Sequence, residues 1–290
     1  MVGESIAAKL NLKFIATNYL KHHNFNELEI NPITDTENET QCILIIGALP
    51  DSNHTVIEIM LHVNALVNQG AKQIILVLPY LPYGRQSRDN IVFQMLNTFN
   101  KVVQIIIAVD CHSKMRDDIA TEITHYDVFG AKVLQLYKKD HVIIAPDRGS
   151  VRRLEQYVLN GFKTATMTKR RSEDYQTMSF SGDAKDFFRK DCIIIDDIVD
   201  SASTICGAAS FLNQCGASSI KAFVSHNLLM DNKSIYKIET SYINELVVTN
   251  TLGLLNNSFK SDKIKIVDVS EVLAQQLQKI INRKNYDRVS

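Results

Sequence analysis

The chain has 290 residues, longer than one ordinary domain and suited to two. Its 45% hydrophobic content can fill two cores, and its 32 basic and 32 acidic residues cancel, which excludes a general affinity for nucleic acid or anionic membrane and makes any anion site local. Five cysteines without metal-ligand or CxxC spacing fit reduced thiols better than a disulfide framework. The N-terminal stretch MVGESIAAKLNLKF lacks a charged head followed by a long apolar core, and no apolar run nears the roughly 20 residues that span a bilayer. A soluble, cytoplasmic protein is expected.

In chain order, Glu4 to Leu10 carries a short amphipathic helix pattern, and the sequence is then polar and poorly patterned to Gln41. From Cys42 short apolar strands alternate with longer helical stretches: CILIIGAL, a helix from about Asn53 to Gln69, QIILVLPY, a helix from about Ile91 to Asn100, then QIIIAVDCH. Continuous apolar strands separated by helices indicate a parallel sheet covered on both faces. The rhythm starts again with a helix over Phe129 to Lys138, the strand HVIIAPD, a helix over Val151 to Asn160, and the strands KTATMTK and CIIIDD. A helix over Thr204 to Cys215, the strands IKAFVSH, ELVVTNT and IKIVDVS, and a closing helix over Val272 to Ile281 complete it. Two α/β units of similar build are expected, residues 1–127 and 128–290, each a mostly parallel sheet flanked by helices.

The stretch Cys192 to Ala209, CIIIDDIVDSASTICGAA, is the most informative. Ile193 to Ile195 read as a strand buried on both faces, ending in Asp196 and Asp197 where the burial is expected to stop. Asp200, Ser201, Ala202, Ser203 and Thr204 then lead into an apolar run at helical spacing. Free backbone N–H groups and the positive end of a helix at that place can hold an anion, and paired carboxylates can accept hydrogen bonds from sugar hydroxyls. Read from the residues alone, the acids equally serve to cap the helix and the small residues to turn the chain. The segment DDIVDSAST nevertheless resembles the ribose-phosphate loop of the phosphoribosyl-diphosphate (PRPP) family, two acids, two apolar residues and D-T-[AG]-G-T. Ser201 stands where Thr is common there, and Ser203 where Gly is common.

In an open parallel sheet ligands bind beyond the carboxyl ends of the strands, so the polar residues after each apolar run carry the chemistry. Four further ends are suggestive: PYLPYGRQSR, DCHS, APDRGSVRR and TKRR. By themselves His112 reads as a structural imidazole, Asp147 as a turn acid, Arg85 as an exposed loop cation, and Lys169 to Arg171 as a solvated basic patch. In this order and spacing the five ends together resemble the ribose-phosphate pyrophosphokinase (PRPP synthase) family, whose patterns run close to PYxxYxRQDR, DLHs, SPDxGGxxR and KRR. The tail segments INELVVTNTL and KIKIVDVSEVLAQQLQKI are similar to that family as well.

The resemblance implies two tandem phosphoribosyltransferase-like domains, the first on the ATP side and the second on the ribose 5-phosphate side. It implies an enzyme that transfers the diphosphoryl group of ATP to ribose 5-phosphate. Lys169 and Arg171 are then catalytic, Arg85 and Gln86 contact ATP, and His112 and Asp147 belong to a Mg²⁺ site. Arg171, Asp196, Asp197, Asp200, Ser201, Ala202, Ser203 and Thr204 bind ribose 5-phosphate. The stretch SEDYQTMSFSGDAKDF is expected to be a mobile loop that closes over the reactants, with Gly182-Asp183 matching a GD pair near its end. Homo-oligomers, dimer-based or hexameric, are implied too. Ser150 replaces a family Gly, Ser87 a family Asp, and FNELEINPITDTENET stands where the family carries F-S-D-G-E, a motif that helps hold adenine. These departures leave open an inactive paralogue acting as a regulatory or assembly subunit, and the loop alone leaves open a PRPP-using phosphoribosyltransferase.

Overall fold

The structure, a computed structural model, describes residues 2–17, 19–21, 28–30, 41–47, 52–85, 102–115, 120–136, 141–171, 178–229, 231–252 and 261–287. Two compact units are present, residues 1–123 with 269–290, and residues 124–268. The closing helix departs from the expected grouping, since its residues cluster with the first unit rather than with 128–290.

In the first unit, α1 (Val2–Leu10) is followed by a small antiparallel hairpin, β1 (Tyr19–Lys21) with β2 (Leu28–Ile30), in a stretch whose sequence carries no strand pattern. Strands β3 (Gln41–Ile45), β4 (Gln73–Leu78), β5 (Val103–Val109) and β6 (Ala120–Ile123) form a four-stranded parallel sheet in that order. β6 was not expected, because ATEI is too short and too polar to stand out. The helix α2 (Ser52–Asn68) turns Val56, Ile59, Val63 and Leu66 onto Leu44, Leu76 and Leu78 at helical spacing. The helix expected over 91–100 lies outside the described residues.

The second unit opens with α3 (His125–Leu136), four residues ahead of its expected start. Then come β7 (His141–Ala145), a 3-10 turn over Arg148–Arg153, and α4 (Leu154–Leu159), so the helix expected over 151–160 is regular only in its second half. The strand expected over KTATMTK is two strands, β8 (Thr164–Thr166) and β9 (Thr168–Arg171). They part at buried Met167, whose N–H still bonds to Ala145 O at 2.9 Å. β9 leaves the sheet and pairs antiparallel with β10 (Met178–Ser181). Part of the expected mobile loop is therefore a hairpin strand. Gly182-Asp183 follows it, and Asp183 caps a 3-10 turn over Ala184–Asp186 by accepting from Lys185 N at 3.0 Å.

The rest of the unit is β11 (Asp191–Val199), α5 (Ser203–Gln214), β12 (Ser219–Asn227), α6 (Asn232–Thr240), β13 (Glu245–Thr249) and β14 (Ile264–Val267). The six-stranded sheet is parallel throughout, in the order β14-β13-β12-β11-β7-β8. β11 lies in its interior and alternate residues serve opposite cores, which is why its apolar run is continuous. Cys192 and Ile194 meet Ile205, Ala208, Ala209 and Leu212 of α5. Ile193 and Ile195 pack with Phe129, Val133, Leu154 and Tyr157 on the other face. The last helix, α7 (Ser270–Asp287), packs in the first unit, where Ser5 Oγ donates to Ser270 Oγ at 2.9 Å and Lys9 pairs with Glu271 at 2.6 Å.

Candidate sugar-phosphate site

The site in the second unit follows from unequal ladders around β11. Pairing with β7 ends at Ile194↔Ile144, whereas pairing with β12 continues to Val199↔Asn227. The carboxyl end of β11 is thus open on its β7 side, and the 3-10 turn Arg148–Arg153 that follows β7 comes over the opening. This corrects one expectation. Asp196 and Asp197 do not mark the end of the strand or of the burial; they lie within β11 and are only 7% and 5% exposed.

Such burial requires partners for each carboxylate. Ser150 Oγ donates to Asp196 Oδ1 at 2.7 Å, and the Asp197 N–H donates to the same oxygen at 3.0 Å. Arg153 Nη2 stands 3.2 Å from Asp197 Oδ2, and its Nη1 donates to Gly149 O at 3.3 Å. Asp147 begins the turn, and its Oδ1 accepts from Gly149 N at 2.9 Å with Ser150 Oγ 3.4 Å away. Ser150 has one hydrogen to give, and the shorter contact is to Asp196. A serine in place of the family glycine is therefore tied into the acid pair.

Burial first, and then the Asp197 charge, push the Asp196 carboxyl up to about 7, against the pull of the Ser150 hydrogen bond and the Arg153 charge. Because the folded state holds a proton that the unfolded chain gives up, stability should fall as pH rises from about 4 to about 7, the reverse of a salt-bridged acid. Urea midpoints measured across this range are expected to decline in the wild type, and Asp196→Asn should flatten the decline. An unchanged slope in that variant places the proton elsewhere.

After Val199 the loop carries exposed Asp200 and Ser201, buried Ala202, and then Ser203 and Thr204 in the first turn of α5. The left-handed backbone falls on Ala202, with φ 58°, and not on Ser203, where the family glycine is common. Ala202 supplies no side-chain cap to α5. Ser201 Oγ donates to Ser203 Oγ at 3.2 Å, and Lys237 Nζ donates to Ser203 Oγ at 3.0 Å and to Ser201 O at 3.1 Å. Sequence reasoning missed Lys237, because its helix α6 was not expected. The one available signal was Asp231, which caps α6 by accepting from Ser234 N at 2.6 Å.

The other expected residues are placed as follows. Lys169 and Arg171 lie within β9, opposite Phe180 and Met178 of β10, and so belong to a hairpin arm. In the first unit, exposed Arg85 ends the turn after β4, and exposed His112 follows β5. Gln86 lies outside the described residues. His112 and Asp147 belong to different units, so neither unit by itself carries the expected magnesium pair. Among the described residues no three His, Cys, Asp or Glu side chains cluster as a closed metal site. Outside the expected set, His226 of β12 is buried, with its Nδ1 2.8 Å from Thr251 Oγ1.

Residues 1–98 match the family model described as the N-terminal domain of ribose phosphate pyrophosphokinase, and residues 162–289 match the phosphoribosyl synthetase-associated domain. The ribose-phosphate pyrophosphokinase of Helicobacter pylori is 30% identical over 280 residues, spanning 90% of this chain and 85% of that protein. That of Nitrosomonas europaea is 29% identical over 252 residues, 81% of this chain and 78% of the relative. The crystal structure of phosphoribosylpyrophosphate synthetase from Mycobacterium smegmatis matches with a TM-score of 0.83 at 22% identity, covering 97% of this chain and 95% of that one. That match carries the fold of both units. The shared sequence runs nearly the length of both proteins, and on that ground the chain belongs to the ribose-phosphate pyrophosphokinase family.

Proposed function

We propose that the chain is a ribose-phosphate diphosphokinase, a transferase that makes PRPP and AMP from ribose 5-phosphate and ATP for nucleotide biosynthesis. The observation that carries the reading is the buried acid pair at the open end of β11, followed directly by a small-residue loop and a helix start. The 5-phosphate rests on the loop Asp200, Ser201, Ala202, Ser203 and Thr204, and Arg171 is assigned to the same ligand. The 2- and 3-hydroxyls meet Asp196 and Asp197. A hydroxyl both donates and accepts, so a pair that retains one proton still matches a diol.

The anomeric oxygen forms a bond to the β-phosphorus of ATP while the bond from that phosphorus to the α–β bridging oxygen breaks. AMP leaves with that oxygen, and the hydroxyl proton passes to solvent. Lys169 and Arg171 offset charge that develops on the transferring group, and Arg85 with Gln86 orients the nucleotide; positioning and charge compensation are the main protein contributions to such transfers. His112 of the first unit and Asp147 of the second are the residues that the family resemblance assigns to Mg²⁺. An oxygen donor such as Asp147, with few protein ligands around it, fits an ion that keeps waters and binds substrate phosphates. When bound, the ion neutralises phosphate charge.

The nucleotide side lies with the first unit and the sugar side with the second, in a cytoplasmic homo-oligomer without nucleic-acid or membrane partners. No helix among the described residues is long and apolar enough to cross a membrane. The test is to incubate the protein with ribose 5-phosphate, ATP and Mg²⁺ and follow phosphorus NMR. Equal formation of AMP and PRPP is expected. AMP without PRPP, or neither product from folded protein, overturns the reading, and the second outcome favours the inactive paralogue suggested by the stretch that replaces F-S-D-G-E.

A further inference from the structure

Lys237 is delivered to the sugar-phosphate loop from a distant helix by specific packing. Its helix is fixed at the start by the Asp231 cap. Ile235 and Ile238 are buried in the same core as Ile205, Ala208 and Ala209 of α5. Cys206 Sγ, at the end of the first turn of α5, contacts Lys237 O at 3.6 Å. The backbone of Lys237 is thereby held against the flank of α5, and its half-buried side chain crosses to the loop, where the ammonium bonds to Ser201 O and Ser203 Oγ.

The electrostatics of that position are unusual. The first turn of a helix carries the positive end of the dipole and free N–H groups, so it favours anions and opposes cations. Among the described residues, the Lys237 ammonium bonds there to a carbonyl and a hydroxyl and to no carboxylate. The Lys237 charge and the positive end of α5 thus face the same loop, while the Asp231 carboxylate at the start of α6 lies within electrostatic range of the ammonium. An ammonium has three hydrogens, and two are used on the loop. Ser203, which stands where the family commonly has glycine, supplies one of the two acceptors, so the side chain that replaces bare backbone also ties the cation down.

We propose that Lys237 is the fixed cation of the sugar-phosphate pocket, ordering the loop through Ser201 and Ser203 and donating its third hydrogen to the 5-phosphate of ribose 5-phosphate. It thereby sets the preference for a phosphorylated over an unphosphorylated pentose. This rests on the reading of the loop under the proposed function. Ser203 and Lys237 act as one unit, because removing either loosens the other.

The test uses calorimetric titration of the full chain with ribose 5-phosphate in the absence of nucleotide, and separately with MgATP. Lys237→Met is expected to weaken ribose 5-phosphate about 10- to 100-fold, the range for a hydrogen bond to a charged group, and to leave MgATP affinity unchanged. Ser203→Ala is expected to weaken it about 3- to 10-fold in the wild type and to have little further effect in the Lys237→Met background, the signature of coupled residues. Ribose 5-phosphate binding within about twofold of wild type in Lys237→Met overturns the proposal, as do an equal loss of MgATP affinity or additive effects of the two substitutions. Wild-type protein that binds ribose 5-phosphate but forms no PRPP sinks the diphosphokinase reading alone. Wild-type protein that does not bind ribose 5-phosphate sinks both.

Discussion

Arg153→Met lowers the free energy of unfolding by about 3–5 kcal/mol, the cost of stripping one partner from a buried ion pair. The Arg153 and Asp197 side chains are 2% and 7% exposed, and the methionine fills much of the vacated volume without restoring the charge. What remains is Asp197 buried beside Asp196, with two negative groups competing for one desolvated place. Arg153 also pulls the Asp196 carboxyl down, so its removal pushes that carboxyl still higher, and the pair takes up a proton more readily. The destabilisation should therefore be larger at about pH 8, where the pair is pressed to ionise, than at about pH 5, where it holds a proton. Urea unfolding at the two values checks this. An equal loss at both identifies a packing effect and removes the charge argument.

Lys169→Ala should reduce turnover about 10²- to 10³-fold, the usual effect of deleting one donor that stabilises developing charge, with ribose 5-phosphate affinity held within a few fold. The substitution keeps the main-chain ladder between β9 and β10, in which Lys169 is opposite Phe180, so the hairpin should persist. Steady-state kinetics and a direct binding titration separate the two quantities. A parallel loss of turnover and sugar binding makes Lys169 a ligand-binding residue and not a transition-state one.

Much of the fold is legible in residue order because it is a local property. The run Ile193 to Ile195 reads as a strand covered on both faces, and in the structure those residues divide between two cores. The periodicity of Ile205, Ala208, Ala209 and Leu212 reads as a helix face and is one. The segments that escaped are those whose patterns are short or polar. These are the hairpin β1–β2, strand β6, and helix α6 with its two buried isoleucines at a spacing of three. The basic triplet was placed by resemblance, but nothing in Thr168 to Arg171 announces that the chain leaves the main sheet there for a second strand.

The α/β class, the strand over Ile193 to Ile195 covered on both faces, and the small-residue loop leading into a helix are all legible in residue order, because strand and helix periods are written in near neighbours. Tertiary structure alone decided that the acid pair is buried. Ser150 reaches Asp196 across 46 positions of sequence, over an opening that exists only because β7 stops short of the end of β11. It alone decided that a lysine 34 residues past Ser203 enters the loop, and that the closing helix returns to the first unit. Which distant groups meet depends on which sheet edges are left open and which helix faces must be covered. Those conditions are set when the elements pack together, and no local pattern encodes them.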